Sequence, residues 1–93
     1  MLQENSTERI IILDSSQKIF IAESCLKDET IRNHLRRVIE KYKFPKQNVI
    51  EGVNLDNANT GDYLVRCIGG SIQVFQMEYL LNFGFRTKKI GEL

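Results

Sequence analysis

Few side chains in this sequence have the types and spacings that catalysis or metal binding requires. The single histidine, His34, has no cysteine or second histidine at a metal-ligand or catalytic spacing on the same segment. Cys67 has no basic partner close to it in the sequence that would make it a nucleophile. No pair of carboxylates stands in a context typical of general acid–base catalysis. We therefore predict no enzyme activity, no catalytic residue, no metal ligand and no cofactor, and we expect His34 to be a partly buried structural residue.

The two cysteines, Cys25 and Cys67, bear on the compartment in which the chain works. The first residues are polar and contain no apolar signal region. The longest apolar run, Ile10 to Leu13, is too short to span a membrane. Because nothing indicates an oxidising compartment, we expect both cysteines to be free thiols, and we expect Cys67 to pack in the core. The protein is predicted to be cytoplasmic and to have no membrane partner.

A glycine pair, Gly69-Gly70, separates two apolar-rich runs near the end of the chain. If a helix over residues 71–83 followed it, the glycines could cradle an anion. A two-residue Gly-Gly connection is instead typical of a tight hairpin between residues 63–68 and 71–79. The second run is apolar nearly all round, which suits a buried strand better than a surface helix. We favour the hairpin and keep the helix as the alternative.

Residues 28–42 are predicted to form the helix around which the other segments are organised. Its apolar residues follow the repeat of one helical face, and they are Ile31, Leu35, Val38, Ile39 and Tyr42. Asp28 can cap the first turn by accepting a bond from a backbone N–H. Pro45 disfavours helical geometry at the residue before it, so the helix should end at about Tyr42 or Lys43.

The remaining segments read as short strands. Residues 9–14 and 18–23 are two β-rich runs joined by a polar turn, which predicts a β-hairpin. A third strand is expected at 49–53 and a loop at 56–62. The predicted fold class is α+β, with a mixed β-sheet packed on one central amphipathic helix in the order ββαβ(β)β.

This order of segments resembles that of the ubiquitin-like, or β-grasp, superfamily. Three stretches are similar to parts of that fold: Asp28-Glu29-Thr30-Ile31 at the start of the helix, Phe44-Pro45 with Val49-Ile50 after it, and Gly61-Asp62-Tyr63 before the last central strand. The chain ends in Ile90-Gly91-Glu92-Leu93 rather than in a diglycine tail. The resemblance therefore implies an interaction domain rather than a conjugated modifier.

The chain of 93 residues has the length of one domain. We expect a flexible N-terminus at 1–8, a single ubiquitin-like α+β domain at 9–80, and a C-terminal extension at 81–93. That extension can add an edge strand to the sheet.

The outward face of the sheet is the first candidate for a binding site. In the expected hairpin register Val65 faces Val74, and Val74 points toward the helix. Gln73 and Phe75 then point outward, and so does Ile50 on the third strand. Ile50, Gln73 and Phe75 are therefore predicted to contact a partner protein, as in the apolar recognition patch of ubiquitin that they resemble. The alternative is that residues 80–93 fold over this face and bury it.

A local excess of positive charge is the second candidate. The whole chain has a net charge of +1, but residues 27–46 carry seven basic and three acidic side chains. The predicted electrostatic contact residues are Arg32, Arg36, Arg37 and Lys41. We expect Arg36, Arg37 and Glu40 to lie opposite the apolar face of the helix. This pattern makes a small regulator that binds nucleic acid the alternative to a non-enzymatic protein–protein interaction module or adaptor. The oligomeric state is left open.

Overall fold

The computed structural model describes residues 13–80 and 84–93. The predicted flexible segment, 1–8, and most of the first predicted strand lie outside these residues. The elements are β1 (Ile19–Ile21), α1 (Glu23–Leu26), α2 (Glu29–Lys41), β2 (Val49–Glu51), β3 (Tyr63–Ile68), β4 (Ser71–Leu80) and β5 (Gly84–Glu92). Single 3₁₀ turns at Lys46–Asn48 and Leu55–Asn57 flank β2.

The five strands form one sheet in the order β2-β1-β3-β4-β5. β1 runs parallel to β2 on one side and to β3 on the other, whereas β3, β4 and β5 are antiparallel to one another in succession. The helix α2 packs against one face of this sheet. The predicted fold class, a mixed sheet packed on one main helix, is confirmed.

The helix α2 begins and ends where the sequence indicates. The carboxylate of Asp28 accepts bonds from the N–H groups of Thr30 and Ile31, at 2.9 and 3.4 Å. Tyr42 is the C-cap, and Lys43 takes a positive φ of 61° before the chain reaches Pro45. Capping at the first turn and the restriction imposed by proline thus fix both ends.

The hairpin predicted between residues 9–14 and 18–23 is not formed by β1. Both sides of this strand are occupied, because Ile19 pairs with Val49 in β2 and with Tyr63 in β3. Asp14 accepts a backbone bond from Gln17, so the residues before β1 make a turn. All three residues of β1 are buried. Such a continuously apolar run suits a strand with parallel neighbours, which a local reading of the sequence does not reveal.

The hairpin of β3 and β4 agrees with the prediction in its turn and in its register. Gly69 and Gly70 have φ of 58° and 84°, the left-handed conformation that a tight hairpin turn requires. Val65 pairs with Val74, as expected. The alternative of a helix over residues 71–83 is wrong, since Ser71–Leu80 is a strand.

Two apolar clusters lie on the two faces of the sheet. The helix-side core contains buried residues from α1, α2, β1, β3, β4 and the segments before β1 and after α2: Leu13, Ile19, Ile21, Cys25, Leu35, Phe44, Tyr63, Val65, Ile72 and Val74. The opposite-face cluster is smaller and consists of Phe20, Ala58, Leu64 and Met77. In the part of the chain that is described, no helix is long and apolar enough to cross a membrane.

Candidate functional site

The structure places Ile50, Gln73 and Phe75 on the sheet face opposite α2, as the strand alternation predicts. Ile50 and Phe75 are half-buried and pack against the opposite-face cluster. Gln73 is half-buried as well, and its Nε2 donates to Ser71 Oγ at 3.4 Å. The three residues remain the predicted protein-binding site, now with a defined position.

Phe75 has a neighbour that the sequence analysis did not single out. The guanidinium carbon of Arg66 lies 5.6 Å from the centre of the Phe75 ring, a cation–π contact. Arg66 is exposed and pairs with Gln73 across the β3–β4 ladder. Arg66, Gln73 and Phe75 therefore form one patch, which we call the β3–β4 patch. The alternation in Tyr63–Ile68, with Arg66 between the inward Val65 and Cys67, is the signal that could have identified Arg66.

Ile50 does not belong to the β3–β4 patch. It is joined to Phe75 by a row of paired positions across the sheet, through Phe20 in β1 and Leu64 in β3. Three strand spacings separate Ile50 from Phe75 by roughly 14 Å. Phe20 and Leu64, between them, are buried. The row is thus one apolar band whose two ends, Ile50 and Phe75, are partly exposed.

The alternative in which residues 80–93 fold over this face is wrong for the residues that are described. The strand β5, Gly84–Glu92, pairs edge to edge with β4 and extends the sheet sideways. Among the described residues, the segment after β2 supplies Ala58 to the opposite-face cluster. Ala58 lies in the stretch 56–62, which was predicted to be a loop.

The four predicted electrostatic residues lie on two sides of α2. Arg32 is half-buried, whereas Arg36, Arg37 and Lys41 are exposed. Arg32 and Arg36 line a cavity of about 520 Å³ between α2 and β2, and Arg37 and Lys41 do not. The helical repeat explains this separation, because positions four residues apart share a side. The four predicted cations therefore form two pairs, Arg32 with Arg36 and Arg37 with Lys41.

We call this cavity the α2–β2 groove. Its walls include apolar side chains from both elements and from the segment between them. Arg36 and Glu40 also line it, although both were expected on the side opposite the apolar face. Both side chains are exposed, as expected of charged positions on a helix, and they border the groove beside Ile39, which is one residue from Glu40 and about one helical turn from Arg36. Lys46 and Glu51 line the other side, and the sequence pattern did not indicate them.

Asp62 is a buried carboxylate that the sequence analysis placed in a loop. Only 1% of its surface is exposed. Its two oxygens accept bonds from the backbone N–H groups of Lys18 and Asn59, at 3.0 and 2.8 Å, and the Lys18 ammonium lies 3.0 Å from Oδ2. Since donors already occupy this carboxylate, its role is to join the turn before β1 to the start of β3.

Cys25 and Cys67 are free thiols, as expected. Cys25 is buried, and its Sγ lies 3.8 Å from the carbonyl oxygen of Val65. Burial raises the pKa of the Cys25 thiol, and the nearby Cys67 raises it further. A thiol of raised pKa has less of the nucleophilic thiolate, so Cys25 is a packing residue.

His34 is exposed on α2, so the prediction that it is partly buried was wrong. The helical repeat placed it at the edge of the apolar face, and that position is exposed to solvent. Within residues 13–80 and 84–93, no group of three or more histidine, cysteine, aspartate or glutamate side chains could hold a metal ion.

The fold and these surfaces define a small α+β domain with one main helix on a mixed five-stranded sheet. Comparison with models of protein families gave no match. Comparisons with curated proteins and with solved structures found no significant similarity.

Proposed function

We propose that this chain is a non-enzymatic protein–protein interaction module, a small adaptor or regulator that contacts its partner through the sheet face opposite α2. The β3–β4 patch, with Ile50 at the other end of the apolar band, is the contact surface. The observation that carries the proposal is the exposed Arg66 guanidinium over the Phe75 ring. Arginine and aromatic side chains are enriched among the residues that dominate binding energy in protein interfaces.

The arrangement of this face suits a partner of mixed character. Phe75 and Ile50 offer apolar area, while Arg66 and Gln73 offer hydrogen-bond donors at the rim of that area. An apolar centre with a polar border is the usual anatomy of such an interface. The partner surface should accordingly present an apolar side chain together with a carboxylate for Arg66.

We further propose that the chain is a ubiquitin-like interaction domain rather than a conjugated modifier. One helix on a mixed sheet, and a turn through Asp62-Tyr63 into the central strands, support it. The parallel pairing of β1 differs from the hairpin that the resemblance implied. We propose a shared mode of binding through a sheet face, and the two free thiols support a cytoplasmic setting.

Affinity capture with the immobilised chain tests this function. The wild type is compared with Arg66→Glu, which changes an exposed side chain of the patch, and with Phe75→Ser. The matched control is Arg37→Glu, the same charge reversal on the far side of α2. We expect to capture a protein that binds the wild type and the Arg37→Glu control but does not bind Arg66→Glu. Circular dichroism should show that Arg66→Glu and Arg37→Glu are both folded. Equal binding by Arg66→Glu, Phe75→Ser and the wild type would contradict the proposal.

The alternative function, a regulator that binds nucleic acid, rests on the four cations of α2. Their separation into two pairs leaves two cations on each side rather than a continuous basic face. A filter-binding titration at several salt concentrations tests it, because phosphate contacts make affinity fall steeply with salt. Binding at low salt that Arg37→Glu weakens, with a reduced salt dependence, would favour this alternative.

A further inference from the structure

The α2–β2 groove has an apolar interior. Leu35 and Ile39 of α2 contribute one wall, Val49 of β2 contributes the other, and Phe44 lies between them in the connecting segment. Its volume of about 520 Å³ falls within the range of roughly 300–1,000 Å³ typical of small-molecule sites. Apolar walls of this kind bind the hydrocarbon part of a ligand by removing it from water.

The groove is bordered by charged side chains of unequal number. Three cations, Arg32, Arg36 and Lys46, and two carboxylates, Glu40 and Glu51, line it. None of the five takes part in the ion pairs found among the described residues. The lining therefore has one positive charge in excess, which a ligand with a single negative charge would neutralise.

Arg32 lines the groove and carries a donor that is not satisfied. Its Nε atom is buried and has no hydrogen-bond partner among the described residues. A buried donor without an acceptor is unfavourable, so a conformer of Arg32 that turns toward an acceptor in the groove, which this side chain lines, would be stabilised. Arg36 follows one helical turn later on the same side. Two guanidinium groups at that spacing can bind one carboxylate, since each presents a planar fork of donors.

We propose that the α2–β2 groove binds a small amphipathic carboxylate, an acyl chain with one terminal negative charge. The carboxylate contacts Arg32 and Arg36, and the chain lies along Leu35 and Ile39 toward Phe44. The groove extends along α2 from Arg32 to Glu40, a length of roughly 12 Å at the rise of an α-helix. This site is on the opposite side of the sheet from the β3–β4 patch, so it does not depend on the proposed protein-binding function.

Titration with decanoate, below its micelle concentration, tests this proposal on the full chain. Isothermal calorimetry gives the affinity, and amide chemical shifts give the location. We expect saturable binding with the largest shifts at Leu35, Ile39, Phe44 and Val49. Decanol, which has the same chain length without the charge, should bind at least about tenfold more weakly, because it lacks charge-assisted hydrogen bonds to the arginines.

Variants of the arginines separate recognition from general apolar adsorption. Arg32→Gln and Arg36→Gln should each weaken decanoate binding by about fivefold or more, whereas Arg37→Gln, outside the groove, should change it by less than about twofold. Arg36 is exposed, so its variant should fold even if Arg32→Gln does not. Equal affinity for decanol, an equal loss with Arg37→Gln, shifts centred on the β3–β4 patch, or no saturable binding would each overturn the proposal.

Discussion

Truncating Leu35 to alanine tests whether α2 is the centre of the core on which both proposed surfaces depend. The side chain is 2% exposed and belongs to the helix-side core. The substitution removes the equivalent of three methylene groups, a loss of about 2.4 kcal/mol in transfer free energy. Leu35 also lines the α2–β2 groove. The space that its side chain leaves therefore adds to an existing cavity, and neighbouring side chains do not fill it. We expect a total cost of about 3–4 kcal/mol.

That cost is large for a chain of this size. A domain of 93 residues has a free energy of unfolding of about 5–14 kcal/mol. The melting temperature should therefore fall by roughly 12–32 °C. Urea denaturation followed by circular dichroism measures the change in the free energy of unfolding, and a thermal scan measures the change in melting temperature. The control is Arg36→Ala, which changes the next residue, an exposed one. Arg36→Ala should change the free energy by about 0.5 kcal/mol or less. A Leu35→Ala variant as stable as that control would refute the packing of α2 on the sheet as described.

Three further predictions concern Asp62, the two cysteines and Asp14. Asp62→Ala should lower the free energy of unfolding by about 3 kcal/mol in chemical denaturation, because it leaves two backbone donors and a lysine without their acceptor; a change below 1 kcal/mol would contradict it. Cys67 should react with iodoacetamide in the native state, as peptide mass spectrometry would show, and buried Cys25 only after unfolding; equal native rates would show that Cys25 is accessible. The N–H and then the hydroxyl of Ser16 lower the pKa of Asp14 below 3.8, so the stability that Asp14 contributes is present above that pH and is lost as the pH falls through its folded pKa; an NMR titration should show the pKa rise in Ser16→Ala.

Features that depend on neighbouring residues could be predicted from the sequence. The cap at Asp28 requires only the carboxylate and the N–H groups of the next turn. The turn at Gly69-Gly70 requires two residues that adopt positive φ, and the side-chain alternation then fixes which residues face α2. For the same reason the outward positions of Ile50 and Phe75 follow from the strands alone.

Features that depend on distant partners could not be predicted in this way. The pairing of β1 joins residues that are 30 and 44 positions apart in the chain, and no local pattern distinguishes it from a hairpin. Asp62 lies in a stretch of polar and small residues typical of a loop, and its burial follows from the backbone donors that surround it. The α2–β2 groove likewise arises from the distance between a helix and a strand, a quantity that the helical repeat alone does not contain.

The central position of the three-residue strand β1 has a consequence for the order in which the chain folds. Residues of β1 pair with partners 30 positions later in β2 and 44 positions later in β3. The β3–β4 hairpin, in contrast, closes over a two-residue turn and can form early. Because closing a long loop costs chain entropy before its contacts form, docking of β1 into the sheet should be the slow event in folding. Until β1 is in place, the inner edges of β2 and β3 both lack a neighbour, and a transient species with two such edges is the form of this chain most prone to aggregate.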